Sequence, residues 1–395
     1  MDSISLTSVL PYFFIMGLCF FFANNIQWLL PESYYLDSST QRHQSINGIR
    51  SILALSVFMH HAVITYYFYQ HGRWEAPPSS FYTLLGQVPV GIFFSITGFL
   101  FWEKAIHSAG RVSFKKLLIS RVKRIAPAYM FAATIILGIV AWESKLTLAV
   151  SNGELIEKTL GFLFGIGFLS IQTVNNIHTA VFGSSVFWSL KYEWKFYIAL
   201  PLIAIFLRNI ILKRIGFVLL ICYFLYKISF YYSSMPMIFS FLPGMVSAHL
   251  YNNSVTRKIL TENRFLPFLG MGSLIFIFTF SSTMYNYVSL FFMFIFFISL
   301  VHIQQESKVY KLLQTRPAKL LGSISYSTYI IHCIVLYLSF YMMNIIYPIK
   351  QFSGGQFWMF IAFIALFLVA VSALSYRYVE YPFLNVKNKP DIQHS

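Results

Sequence analysis

The strongest constraint on this chain is a series of eleven mostly apolar stretches, each long enough to cross a lipid bilayer as a helix. They lie at 8–30, 48–68, 82–102, 126–142, 187–207, 216–232, 235–251, 265–281, 285–301, 324–346 and 357–378. A hydrocarbon core of about 30 Å is crossed by roughly 20 apolar residues in helix, so each stretch is expected to span. Of the 395 residues, 57% are hydrophobic and 11% charged, whereas soluble domains carry about a quarter of their residues as charged types. No stretch is polar enough to make a separate soluble domain. Cys19, Cys222 and Cys333 all fall within apolar runs without CxxC spacing. A structural role is expected for them, with neither a disulfide framework nor a metal site.

Charge orients the helices. The 29 Lys and Arg outnumber the 13 Asp and Glu, and they cluster at 104–124, 208–214, 257–264 and 308–319 and in a tail with Arg377, Lys387 and Lys389. A twelfth apolar segment, 160–171, is short and broken by Gly161, Gly165 and Gly167. It is expected to be re-entrant or interfacial. With that segment not crossing, every basic cluster falls on one side, as the excess of Lys and Arg in cytoplasmic loops requires. The expected architecture is an all-α polytopic membrane protein of about eleven transmembrane helices. It divides into a leading helix and connection at 1–45, a membrane domain at 46–384 and a short cytoplasmic tail at 385–395. The N-terminus is expected outside. The first run has no preceding Lys or Arg and no clean small-residue cleavage site, so it is expected to be retained.

Ionisable groups inside apolar helices cost about 2.5 to 3.5 kcal/mol each by insertion scales, so their positions are informative. Arg50 and His61 stand eleven residues apart in the second run. That is three turns plus about 20°, which puts both side chains on one face with His61 about 16 Å deeper. His60 points about 80° away. A neutral imidazole at that depth can take a proton from a hydroxyl; the plainer alternative is that Arg50 snorkels to the interface and His61 only packs. Near the outer end of the fifth run, Glu193 and Tyr197 share a face. Taking about 1.5 Å per residue, Glu193 lies about 9 Å and His61 about 14 Å from the external end, so the two could meet. Arg121 and Arg124, one turn apart, make a fork suited to phosphate groups, while the lysines around them suit anionic lipid. Ser325, Tyr329 and His332 form a polar stripe in the tenth run, which serves either a site or helix-to-helix contact.

Taken together these residues resemble the acyltransferase 3 family of bacterial integral membrane acyltransferases, over about residues 46–384. The matching pieces occur in the family's order: Arg50 and His61 as Arg-x10-His; Phe93, Phe94, Thr97 and Gly98 as an FFxxSG-like stretch; Arg121 and Arg124 as RxxR; WSLxxE ending at Glu193; ISYSxYxxH ending at His332; and a YxxExPF-like end with Glu380. Thr97 stands where relatives often have Ser, Gly91 where they often have an acid, and Lys195 departs from the usual Glu-Gln-Phe-Tyr continuation.

The resemblance implies a ten-helix core, here with one helix added, and transfer of an acyl group, acetyl above all, from acyl coenzyme A to a sugar hydroxyl. His61 would be the general base, Glu193 its orienting partner, and Arg50 a steering group. Arg121 and Arg124 would hold the donor, with Thr97, Tyr197, Ser325, Tyr329 and His332 in positioning roles. Acetyl coenzyme A would be a co-substrate, with no permanently bound cofactor. The partners would be the bilayer of the inner membrane and a glycan or lipid-linked saccharide, such as lipopolysaccharide or another exported polysaccharide, and not nucleic acid. A secondary transporter or a non-catalytic glycan or lipid translocase would also carry buried Arg, His and Glu. The transporter would more typically show two related halves, and none is evident.

Overall fold

A computed structural model describes residues 5–26, 28–35, 44–169, 171–209, 211–216, 218–219, 226, 237–304 and 307–384. Most of the expected span at 216–232, with Cys222, and the whole tail at 385–395 lie outside the described residues.

The described chain is almost entirely helical, as unbroken apolar runs in a membrane protein require. Among the described residues, five helices are long and apolar enough to cross a membrane: α2 (Gln44–His71), α3 (Ser80–His107), α4 (Phe114–Glu143), one at Ser325–Ile346 and one starting at Gly354. A sixth span results if Ser254–Glu262 and Leu266–Phe280, bent by 77° where they join, are counted together. The all-α membrane architecture is as expected, with five or six spans of this length among the described residues where about eleven were expected over the whole chain. The runs at 8–30, 187–207, 235–251 and 285–301 form helices α1 (Leu10–Asn25), α6 (Trp188–Ala204), α7 (Leu242–Asn252) and α10 (Tyr287–Val301), of 16, 17, 11 and 15 residues. Two of these continue in 3-10 helix, α6 through Ile205–Leu207 and α7 back through Met237–Phe241, so their helical stretches are longer than the α-helices alone. Hydropathy registers apolar content, but prolines and caps decide where a helix stops. Asn286, for example, starts α10 by accepting the Ser289 N–H at 2.6 Å. In α4 the difference runs the other way. The helix begins after Ser113, whose hydroxyl caps the Lys116 N–H, so the basic residues from Lys115 to Arg124 are helical, and Pro127, near the start of the run at 126–142, lies inside the helix.

The segment expected not to cross forms helix α5 (Asn152–Phe164) of 13 residues, about 20 Å long. It ends at Gly165, and the chain reverses through Ile166 and Gly167 at φ 46° and 73°. A small hairpin follows, β1 (Thr173–Val174) and β2 (Ile177–His178), antiparallel around Asn175 and Asn176 at φ 50° and 60°. That is the left-handed pair a two-residue hairpin loop demands. The Asn175 amide fastens the hairpin to the connection between α4 and α5, accepting from the Ala149 N–H at 2.7 Å and donating to the Thr147 carbonyl at 2.8 Å.

The bundle has two distinct ends. At the basic end, the Arg377 guanidinium donates to the Leu29 carbonyl at 3.0 Å, Arg316 pairs with Glu32 at 3.1 Å, and the Tyr326 hydroxyl donates to the Ile125 carbonyl at 3.0 Å. At the opposite end, Tyr82 donates to the Ser8 carbonyl at 2.7 Å, Trp358 to the Ser5 carbonyl at 3.2 Å, and Tyr337 to the Glu143 carboxylate. The remaining helices are α8 (Ser254–Glu262), α9 (Leu266–Phe280), α11 (Lys308–Leu313), α12 (Arg316–Ser323), α13 (Ser325–Ile346) and α14 (Gly354–Ser375), followed by a π-turn (Tyr376–Glu380) and a last turn, α15 (Tyr381–Leu384).

Helices α2, α3 and α13 form the middle of the bundle, and α3 lies hard against α7. A Cβ on Gly98 would stand 2.3 Å from the Phe241 carbonyl oxygen, and one on Gly244 would stand 1.8 Å from the Ser95 carbonyl oxygen. The Ser95 hydroxyl donates to the Ser240 carbonyl at 2.7 Å across the same contact. Small residues permit this approach, which apolar surface alone does not drive in lipid. Gly98→Ala is expected to push the helices apart and destabilise the protein by about 1 to 3 kcal/mol. A lowered thermal-unfolding midpoint in detergent measures this; an unchanged midpoint would show that the contact relaxes without cost.

Candidate active site

Two chambers meet near the centre of the bundle. The first opens toward the basic end and gathers Arg50 from α2, Thr97 from α3, Arg121 and Arg124 from α4, Glu193 and Tyr197 from α6, and Ser325, Tyr326 and Tyr329 from α13. Its cavity volume is about 130 Å³. Aromatic rings hold the cations: the Arg121 guanidinium stands 4.7 Å from the Phe101 ring centre and 5.8 Å from that of Tyr197, and Arg124 stands 6.0 Å from that of Tyr326. Glu193 accepts the Tyr197 hydroxyl at 3.0 Å. Behind the chamber, Glu380 is only 1% exposed, accepts from Ser327, and lies close enough to Arg50 and Arg124 to interact with both. Three guanidiniums therefore face two carboxylates, and Nε of Arg121 is buried without a hydrogen-bond partner. An excess of part-buried positive charge with an unused donor is suited to an anionic ligand.

The second chamber opens toward the opposite end. It holds His60 and His61 on α2, Trp74 and Glu75 after it, Thr83, Gly86 and Gln87 on α3, Ser185 and Trp188 at the start of α6, and Tyr285. His61 is 9% and His332 0% exposed. Nε2 of His332 lies 3.0 Å from Nδ1 of His61. The tautomers follow from the neighbouring carbonyls, which can only accept. Nδ1 of His332 faces the Thr328 carbonyl at 3.1 Å, so in the neutral ring it carries the proton and Nε2 is the acceptor. Nδ1 of His61, 3.1 Å from the Val57 carbonyl, therefore carries the proton that His332 accepts. The lone pair of His61 is left on Nε2. An imidazole fixed in this way is equipped to act as a base. His60 is held separately, with Nδ1 on the Tyr82 carbonyl at 2.7 Å.

Val90 and Tyr329 line both chambers. The Tyr329 hydroxyl lies 2.8 Å from the Ser189 hydroxyl and donates to the Val186 carbonyl at 3.3 Å, which pins the ring in the wall between them.

The sequence-expected residues divide between these spaces. Arg50, Thr97, Arg121, Arg124, Glu193, Tyr197 and Ser325 line the first chamber, and His61 the second. Glu193 and His61 are thus in different chambers, and the ring hydrogen bond of His61 goes to His332. Ser325 is engaged by its own chain, donating to the Gly322 carbonyl at 2.7 Å. Gly91 borders neither chamber: a Cβ there would meet Met284 and Met293 at 3.3 Å. Sequence reasoning did not single out Trp74, whose ring stacks 6.2 Å from that of His61, nor Gln87. It also missed the proximity of Cys333, since His61, His332 and Cys333 place ligand-type atoms within 4.8 Å of one another.

The fold and the site define an α-helical membrane protein with two adjoining chambers, one lined by three arginines and a glutamate and the other by two histidines. Residues 43–377 match the model of an acyltransferase domain, and the chain belongs to the acyltransferase 3 family. No curated protein and no solved structure matches it.

Nδ1 of His61 and both ring nitrogens of His332 already have hydrogen-bond partners, and the Cys333 thiol lies 3.8 Å from the Ser185 hydroxyl. Purified protein is accordingly expected to contain no stoichiometric zinc, and Cys333→Ser to keep its activity. Elemental analysis showing one zinc per chain, lost in Cys333→Ser, would make these residues ligands instead.

Proposed function

We propose that the protein is a membrane O-acyltransferase that moves an acyl group, acetyl above all, from acyl coenzyme A to a sugar hydroxyl of an exported or surface glycan. The observation that carries this reading is the pair of chambers, one cationic and one holding a fixed imidazole, back to back across Val90 and Tyr329. Coenzyme A presents a diphosphate and a 3'-phosphate. Arg121 and Arg124 suit these groups as planar forks, and Arg50 adds a third cation at the inner end of the chamber. Glu193 and Glu380 offset part of this charge and hold the guanidiniums in place when no donor is bound. The basic end faces the cytoplasm, in line with the distribution of Lys and Arg, and the N-terminus lies outside. The shorter apolar helices complete the membrane domain in the inner membrane.

The donor phosphates rest near the cytoplasm while the thioester reaches past Tyr329. About 16 Å of helical rise separates Arg50 from His61. In the second chamber Nε2 of His61 takes the proton from the acceptor hydroxyl as its oxygen attacks the thioester carbon. The carbonyl electrons move to oxygen, giving a tetrahedral oxyanion. On collapse the carbon–sulfur bond breaks, and the coenzyme A thiolate leaves with the proton from His61. His332, accepting the Nδ1 proton of His61, keeps that ring in the tautomer with a free Nε2 lone pair and stabilises the transient imidazolium.

General-base catalysis is worth about 10²- to 10⁴-fold in rate. His61→Ala is therefore expected to lose at least about 10²-fold in acyl transfer, read as release of free thiol by protein in detergent and as loss of the acyl mass from surface glycans. Normal acylation by this variant would remove the base. Arg124→Lys keeps the charge and loses the fork. It is expected to raise the donor KM several-fold, about 1 kcal/mol, with kcat little changed; an unchanged donor KM would detach the phosphates from that chamber.

A further inference from the structure

The oxyanion of the tetrahedral intermediate needs hydrogen-bond donors around it, and the His61 chamber has a distinctive lining in this respect. No Lys or Arg lines it among the described residues; all three guanidiniums border the other chamber. The one formally charged residue there is Glu75, which can only repel an oxyanion. Several neutral donors of the chamber are already committed. The Thr83 hydroxyl donates to the Pro77 carbonyl at 3.3 Å, Tyr329 to Val186, and His60 is on the Tyr82 carbonyl.

Gln87 is different. Its Oε1 accepts the Met284 N–H at 2.8 Å and the Thr283 hydroxyl at 3.1 Å. A backbone N–H can only donate, so these bonds settle which end of the amide is oxygen. They hold the carboxamide plane against the 283–285 loop and leave its two N–H bonds for the chamber. The residue also stands at the right place on its helix. Thr83, Gly86, Gln87 and Val90 form the stripe of α3 that lines the chamber, opposite Val57, His60, His61 and Ile64 on α2. The two helices are in close contact at this level, since a Cβ on Gly86 would stand 2.5 Å from the His60 ring.

We infer that the Gln87 carboxamide is the oxyanion donor of the transfer reaction, a catalytic residue whose N–H groups are oriented in advance by the two hydrogen bonds to its own oxygen. The assignment rests on the acyl transfer proposed above. As the acceptor oxygen attacks, the thioester carbonyl oxygen gains the displaced electron pair and the Gln87 N–H groups bind it. When the carbon–sulfur bond breaks the pair returns to the carbonyl and the contact weakens. A donor aimed at charge that exists only in the transition state lowers the barrier without tightening substrate binding.

Gln87→Glu tests this directly, because a carboxylate keeps an oxygen for Met284 and Thr283 and removes both N–H donors. Gln87→Met, uncharged and of similar length, controls for the added charge. Both variants are expected to lose about 10²- to 10³-fold in kcat, with donor and acceptor KM unchanged and with the melting temperature of Gln87→Glu near that of the wild type. Wild-type kcat in both variants, a loss confined to Gln87→Glu, or a change carried by KM would each overturn the assignment. If the wild type transfers acyl groups and His61→Ala does not, such a result removes Gln87 alone; a wild type without transfer removes the proposed function with it.

Discussion

Burying guanidinium groups inside an apolar bundle is tolerable only where anions and aromatic faces meet them, and the centre of this protein is built around that requirement. Arg50, Arg121 and Arg124 come from two helices and converge on one space. Glu193 approaches from α6, and Glu380 is delivered from the π-turn that follows α14. Such single-turn π segments interrupt the helical ladder at a cost and are found most often at functional sites. Here Glu380 is the last residue of the π-turn, and Ser327 donates to its carboxylate. The rings of Phe101, Tyr197 and Tyr326 cover the guanidinium faces. The packing of α2, α4, α6, α13 and the end of α14 is therefore tied to one electrostatic cluster.

The second centre depends on hydrogen-bond direction instead of charge. Two helical carbonyls, of Val57 and Thr328, face the Nδ1 atoms of His61 and His332, and the order of protons along the pair follows from them. No carboxylate is required. This is a neutral counterpart of the arrangement in which an acid orients a catalytic imidazole. It suits a site within apolar helices, where an additional ionised group is costly.

Much of the frame was legible in the sequence. The long helices around Arg50, Thr97 and His332 follow from hydropathy, and the eleven-residue spacing put Arg50 and His61 on one face of α2, where they now line successive chambers. The one-turn spacing of Arg121 and Arg124 likewise brings them to a common space. Other features were not legible, for identifiable reasons. Depth along the membrane normal made a meeting of Glu193 and His61 possible, but depth carries no information about direction around the bundle, and α6 turns Glu193 toward the arginines. The pairing of His61 with His332 joins residues 271 apart and depends on how α13 packs on α2. Gln87 is uncharged, and an amide gains meaning only from the loop that fixes it. The bounds of each helix were less legible than its existence, because an apolar run does not reveal the caps and prolines that end its helix.

The ring of Tyr329, fixed at its hydroxyl by Ser189 and Val186, stands where the two chambers would otherwise join. A membrane that stores energy as a proton gradient cannot contain an open bore, yet an acyl group needs to cross only a short distance for its carbonyl carbon to change sides. A thin aromatic partition reconciles the two demands. Under the acyl transfer proposed above, it would let the chemistry itself carry cargo over the permeability barrier, and export of the acyl group would need neither an ion-driven cycle nor a rocking of one half of the bundle against the other.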